Sequence, residues 1–515
     1  MPEVEGHYNA GLIMISVVRH IYSKMAKQSS VIIGSGIGGL ASGIRLAAKG
    51  YRVSIFEQAS QTGGKVSEIC QNGFRFDRGP SLLTLPGLID ELFILCGEEP
   101  RDHFNYKRLE MSCKYFWEDG SIINAWQDQE KFCQEVKLQS GVPPARLRGF
   151  FKKSRQLYEL TAESFLFSSL HKAANFKSRA FIKTMLNSLR LDPFVTMHEK
   201  NRRWFADRRI VQLFDRYATY NGSNPYKTPA TLNIIAHLEH SLGTFFPDKG
   251  IFDIAASLTL LAKRMGVEFH LNTKVNEIIH ANGTVKGIRT GKDFIPAGIV
   301  INNTDVSLFY DKLMPSEKMP RRLARGERST SALIFYWGVN ECEPRLELHN
   351  ILFSDNYREE FRHLFSSGTI CPDPTVYIYT SSRAVKQDAP EGAGNWYVMI
   401  NAPENREQDW DQMIAEARKT IVSKINRILK TDIEKKIVFE KIADPRSIEE
   451  ETGSFRGSLY GISSNSMFAA FNRHANFRRK YRNLYFTGGS VHPGGGIPLC
   501  LASARIVDKE IDPCT

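Results

Sequence analysis

Short apolar runs punctuated by glycine turns outline a strand–loop–helix unit near residue 31 and a group of strands after residue 265. The β-branched run Val31-Ile32-Ile33 leads through a glycine loop into a helical segment, Leu40-Ala41-Ser42-Gly43-Ile44-Arg45-Leu46-Ala47. A second strand, Arg52-Val53-Ser54-Ile55-Phe56, closes that unit. Val267–Leu271 and Val275–His280 read as strands, and Asn282-Gly283 between alternating runs predicts a hairpin into Val285–Ile288. The longest apolar run, Gly11–Val18, falls far short of the roughly 20 residues that span a bilayer. It also lacks the basic region and cleavage site of a signal peptide. Met25-Ala26-Lys27-Gln28, directly before the first strand, reads as a natural start, so 1–25 is expected to be a disordered or non-native extension.

The loop after Ile33 carries the first chemistry. Gly34, Gly36 and Gly39 form GxGxxG between a strand and a helix, and Glu57 follows the second strand. Gly34 permits the tight turn, Gly36 admits a pyrophosphate, and Gly39 lets helix and strand pack closely. The helix N-terminus, with Ile37 and Gly38, offers free N–H groups to the phosphates. Glu57 is placed to accept hydrogen bonds from an adenosine ribose, with Gln58 beside it.

FAD and NAD share this pattern, and the next segments separate them. Gln61-Thr62-Gly63-Gly64-Lys65 is a second glycine turn carrying a cation, and Gly73-Phe74-Arg75-Phe76-Asp77-Arg78-Gly79-Pro80-Ser81 follows. In this order they resemble flavoproteins of the amine oxidase and phytoene desaturase superfamily. The closing segment, Leu484-Tyr485-Phe486-Thr487-Gly488-Gly489-Ser490-Val491-His492-Pro493-Gly494-Gly495-Gly496-Ile497-Pro498, is similar to that of bacterial carotenoid desaturases. Many superfamily members place an acid where this chain has Gly489, a departure that argues against an amine oxidase. No cysteine stands where some monoamine oxidases tether their flavin.

The resemblance covers about 28–508 and implies a non-covalent FAD. It places Gly64, Lys65, Gly79 and Pro80 in the cofactor site, and Val275 against adenine. Gly488, Gly489, Gly495 and Ile497 would lie along the ribityl chain and ring. Ala297–Asp305 resembles the strand that returns to the flavin core. The implied fold is α/β: a Rossmann-like FAD-binding domain interleaved with a mixed sheet-plus-helix substrate domain. A chain of 515 residues is expected to hold two or more domains. The division drawn is 26–140, 236–305 and 446–515 for FAD, with 141–235 and 306–445 for substrate.

Charge alters the picture at one place. Residues 146–216 hold sixteen Lys/Arg against six Asp/Glu, within a net +12. They also carry Phe150-Phe151, Phe165-Leu166-Phe167, Phe181-Ile182, Met185-Leu186, Leu189 and Trp204-Phe205. Cations interleaved with apolar residues suit an anionic bilayer surface, and no nucleic-acid motif accompanies them. A solvated helical face is the plainer alternative. The expected location is cytoplasmic, peripheral to the inner membrane. Eight scattered cysteines without a CxxC pair or histidine cluster read as reduced thiols, with no metal site.

The resemblance implies removal of hydride and a proton from a lipophilic carotenoid, with oxygen or a quinone as final acceptor. That chemistry asks mainly for orientation and an apolar tunnel. Candidates for proton removal or cation stabilisation are His237, Glu239 and His240, Arg216, and His492; each is equally readable as structural. The Asp215–Pro225 stretch and the closing segment look more like the hydroxycarotenoid 3,4-desaturase branch than the phytoene desaturase branch. The expected substrate is a 1-hydroxycarotenoid such as 1'-hydroxy-γ-carotene. Phytoene desaturation, amine oxidation and non-enzymatic prenyl binding of the GDP-dissociation-inhibitor type are the alternatives, the last weakened by the intact glycine loop.

Overall fold

In the computed structural model, which describes residues 28–514, five parallel strands form the first sheet. Their order is Leu484–Phe486, Ile299–Asn302, Ser29–Ile33, Arg52–Phe56 and Glu268–His270. The expected extension at 1–25 lies outside the described residues. Ile32 stands level with Ile301 on one side and Ile55 on the other. Both faces of the sheet are covered, which is why Val31-Ile32-Ile33 is apolar without a break. Ile32 and Ile55 pack with Leu40 and Ile44 of the helix Ile37–Ala48. Val31, Ile33 and Phe56 pack against Ile278, Val285 and Ile288 of the hairpin. That hairpin, Glu277–Ala281 with Thr284–Thr290, turns through Asn282 and Gly283, both at positive φ, and gains a third strand, Asp293–Pro296.

The second sheet has seven strands, in the order Ile437–Ala443, Ser331–Val339, Gly394–Ala402, Val376–Tyr379, His349–Leu352, Met111–Phe116 and Ile122–Trp126. Ser331–Val339 is buried along its whole length and serves two cores by strand alternation. Leu333, Phe335, Trp337 and Val339 face the helix Trp410–Leu429 through Ala417, Ile421 and Ile425. Ala332, Ile334 and Tyr336 join the core that holds Ile32 and Ile55. Met111–Phe116 and Ile122–Trp126 thus belong to the sheet of the 306–445 region, although they precede residue 140. Helices over 129–161 and 197–215 cover these strands with Phe132, Phe150 and Phe214.

The fold class is the interleaved α/β arrangement expected from the sequence. The apolar residues of 146–216 divide in three: Phe150, Phe151 and Phe205 are core; Phe165, Leu166, Phe167, Phe181 and Trp204 are half-buried; and Ile182, Met185, Leu186 and Leu189 are exposed on and just after the helix Arg179–Leu186. Among the described residues, no helix is long and apolar enough to cross a membrane.

Candidate functional site

The two glycine loops meet over the C-terminal edge of the parallel sheet. Gly34 leaves the first strand at φ +92° and donates its N–H to Phe56 O at 2.8 Å. Asn303, at the end of the neighbouring strand, donates Nδ2–H to Gly34 O at 3.2 Å and accepts from Thr487 Oγ1 at 3.3 Å. It thereby ties the first loop to the second. A Cβ at Gly39 would lie 2.1 Å from Gly34 O; one at Gly38 would lie 2.6 Å from Asn303 Oδ1 and 2.9 Å from Gly488 N. Only glycine admits this approach. The helix Ile37–Ala48 has Gly36 at its N-cap with no side-chain cap and no acid in its first turn. Its N–H groups and positive dipole end are free for phosphate.

Glu57 is fixed by three donors. Ser35 N–H and Oγ–H both reach Oε2 at 2.8 Å, and Ala59 N–H reaches Oε1 at 2.9 Å. The carboxylate is therefore held in one orientation, in which it could receive a sugar hydroxyl. Val275 packs with Phe56 in the core beside it, and Gln58 is exposed.

The second turn docks on the first, with Gly63 N–H donating to Ser35 O at 3.0 Å. A Cβ at Gly64 would lie 3.2 Å from Gly36 Cα, and one at Gly79 would lie 2.2 Å from Lys65 O. Lys65 donates Nζ–H to Leu459 O at 2.7 Å; loss of water pulls its pKa down, against the opposing pull of Asp305. Pro80 continues from Gly79 to Ser81, whose hydroxyl lies 2.6 Å from Tyr377 OH. In the closing loop, Gly488 N–H donates to Ser503 Oγ at 2.9 Å, and a Cβ at Gly489 would lie 3.3 Å from Gly495 Cα. Gly495 lies against Tyr460, whose ring would be 2.6 Å from a Cβ. Gly496 then opens the helix Ile497–Asp508, again with no side-chain cap and no acid in the first turn.

The acid–base candidates fall in three places. Arg216, Glu239 and His240 come together: Glu239 Oε1 accepts from Tyr217 OH at 2.9 Å and Ser112 Oγ at 3.1 Å, and Oε2 accepts from Tyr220 OH. Arg216 stands 3.7 Å from Glu239, which, with His240 and the two tyrosines, holds the carboxyl below its usual range despite burial. His240 Nε2 meets Tyr217 OH at 2.7 Å, and burial pushes its pKa down to about 4. His237 is apart, its ring against Tyr158. His492 is buried elsewhere, with Nε2 2.8 Å from Ser168 O, and burial lowers its pKa to about 3.

A family model described as flavin containing amine oxidoreductase matches residues 37–507. The chain belongs to this family. It is 46% identical over 479 residues to the 1-hydroxycarotenoid 3,4-desaturase of Flavobacterium sp. (strain P99-3), covering 93% of this chain and 98% of that protein. It is 30% identical over 511 residues to the phytoene desaturase of Fusarium fujikuroi, covering 94% and 89%. Putrescine oxidase bound to putrescine shares the fold, with TM-score 0.62, 14% identity and coverage of 94% and 98%.

Membership implies a flavin, and the residues fit one: the uncapped N-terminus of Ile37–Ala48 meets the closing loop at Gly38, where an added Cβ would have no room. Sequence reasoning missed the residues that hold the cradle in shape. Ser503 and Tyr460 lie outside every motif, and Ser35 and Asn303, though inside segments that were singled out, have roles that exist only where distant strands meet. All eight cysteines are free thiols.

Proposed function

We propose that the protein is an FAD-dependent carotenoid desaturase that introduces the C-3,4 (C-3',4') double bond into a 1-hydroxycarotenoid such as 1'-hydroxy-γ-carotene. The observation that carries this reading is 46% identity along nearly the whole chain to a protein of that name, joined to an intact cofactor cradle. Bound FAD supplies a hydride acceptor. The chain's own residues do the rest. Gly36, Ile37, Gly38 and Gly39 bind the pyrophosphate through backbone N–H groups, Gly34 makes the turn that admits it, and Glu57 orients the ribose, with Gln58 and Val275 flanking the adenosine. Gly64, Lys65, Gly79 and Pro80 border the flavin, and Gly488, Gly489, Gly495 and Ile497 line its ribityl chain and ring without a covalent link. The 26–140, 236–305 and 446–515 segments form the cofactor unit, from which the strands at 111–126 cross to the substrate sheet.

The substrate is lipophilic, and the exposed residues Ile182, Met185, Leu186, Leu189 and Phe194 stand among Lys177, Arg179, Lys183 and Arg190. That surface supports peripheral attachment to the cytoplasmic face of the inner membrane, through apolar insertion and attraction to anionic lipid. Oxygen or a membrane quinone takes the electrons. The 30% relative named phytoene desaturase supports a second reading, action on phytoene.

Anaerobic reduction of the FAD-loaded protein by liposomes carrying either polyene tests the choice. Bleaching of the flavin band by 1'-hydroxy-γ-carotene alone is expected. Bleaching by phytoene alone transfers the assignment to the second reading, and bleaching by neither removes both.

A further inference from the structure

The cluster around Arg216 is not a free acid–base pair. Glu239 is 1% exposed and already accepts from Ser112, Tyr217 and Tyr220, which take three of its roughly four lone pairs. Arg216 is the unfinished member. Its Nη2 donates to Tyr115 OH at 2.8 Å, and its Nε is buried with no partner. The guanidinium lies 5.0 to 5.3 Å from the ring centres of Tyr115, Tyr217 and Tyr220. An orphaned donor in an aromatic wall is costly unless a ligand oxygen meets it.

The charge balance says what kind of oxygen fits. Glu239 offsets the charge of Arg216, so the site is neutral as a whole and suits an uncharged oxygen better than a carboxylate. Tyr220 commits its proton to Glu239, which leaves its own oxygen free to accept. One donor and one acceptor side by side match an alcohol. A chain of hydrogen bonds also joins the segment that carries the cluster to the cofactor loops. Two residues beyond Tyr220, Gly222 O accepts from Thr330 N–H at 3.0 Å; Thr330 O accepts from Leu459 N–H at 3.2 Å; and Leu459 O holds Lys65.

On the desaturase reading, on which this step rests, we infer that Arg216 and Tyr220 bind the hydroxyl at the end of the polyene and thereby select hydroxylated substrate. The hydroxyl accepts from Arg216 and donates to Tyr220, and Glu239 holds both in place. Only two bonds separate C-1, which bears the hydroxyl, from C-3, so anchoring the oxygen also sets which bond faces the cofactor.

The test compares 1'-hydroxy-γ-carotene with its 1',2'-dihydro counterpart that lacks only the hydroxyl, presented in liposomes to the FAD-loaded protein. Wild type is expected to favour the hydroxylated polyene. The charge-preserving Arg216→Lys should lower kcat/KM for that polyene about tenfold or more, the worth of a hydrogen bond to a charged group, and Tyr220→Phe about three- to tenfold, the worth of a neutral one. The dihydro polyene should change less than about twofold, so the preference collapses. Equal losses on both polyenes in both variants, or no preference in wild type, overturn the inference while leaving the desaturase reading intact. Reduction by neither polyene in wild type overturns that reading, and this one with it.

Discussion

Gly38→Ala should separate the two glycine loops and weaken cofactor binding without unfolding the chain. The added methyl would sit 2.6 Å from Asn303 Oδ1 and 2.9 Å from Gly488 N, with Gly488 Cα at 3.1 Å. Each is several tenths of an ångström inside ordinary contact, so the closing loop and the Asn303 side chain must both retreat. Overpacking of this kind costs about 1–3 kcal/mol. Alanine in the first turn of Ile37–Ala48 returns up to about 1 kcal/mol of helix propensity. The unliganded chain relaxes by letting the closing loop drift, so its melting temperature should fall only slightly. Cofactor binding needs both loops in register, so the cost should appear there, as about a five- to hundredfold rise in Kd for FAD. Titration of the apoprotein by flavin fluorescence quenching, with thermal melts in parallel, measures both quantities. Gly87→Ala is the control, because no atom lies within 4 Å of its Cβ position. Wild-type affinity for FAD in Gly38→Ala would refute the claim that the loops are locked face to face at this contact.

Two further outcomes are expected. Leu186 and Leu189 are 82% and 87% exposed, and burying a leucine is worth about 1.5–3 kcal/mol. Leu186→Asp with Leu189→Asp should therefore cut co-flotation with anionic vesicles at least about a hundredfold, while Val438→Asp leaves it unchanged; undiminished flotation of the double variant would discard this face as the attachment surface. Burial depresses His240 to about 4 and His349, His474 and His492 to about 3. The unfolded chain takes up these protons near pH 6.5 and the folded one does not, so stability is fullest above 6.5 and falls as the pH drops toward 4. His474→Asn should reduce the slope of unfolding free energy against pH, between 6.5 and 5, by about one proton; an unchanged slope would show that His474 is protonated in the fold.

What was legible in the sequence was local. The strand–GxGxxG–helix unit, the Asn282-Gly283 turn and the closing glycine loop each carry their conformation in adjacent residues. The Asn303 clamp does not, because it acquires meaning only when the strand at 299–302 slots beside the one at 29–33. The cluster on Glu239 joins Ser112 and Tyr115 of a strand to Arg216, Tyr217 and Tyr220 of a turn, across separations no periodicity registers. The strands at 111–126 were similarly opaque: their partner, His349–Leu352, lies more than two hundred residues on and pairs in parallel. In 146–216, apolar residues destined for core and for surface have the same composition, so only packing distinguishes Phe150 from Leu186.

The position of Gly488 against Gly38 also bears on the order of events in biosynthesis. The strand–helix unit that would hold the nucleotide emerges from the ribosome early, and Asn303 more than 260 residues later. Of these elements the N-terminus of Ile497–Asp508 arrives last. Until then the nascent chain presents a half-walled groove whose glycines have nothing to close upon. A flavin that needs both walls should in consequence be held only after the segment at 488–497 has been made.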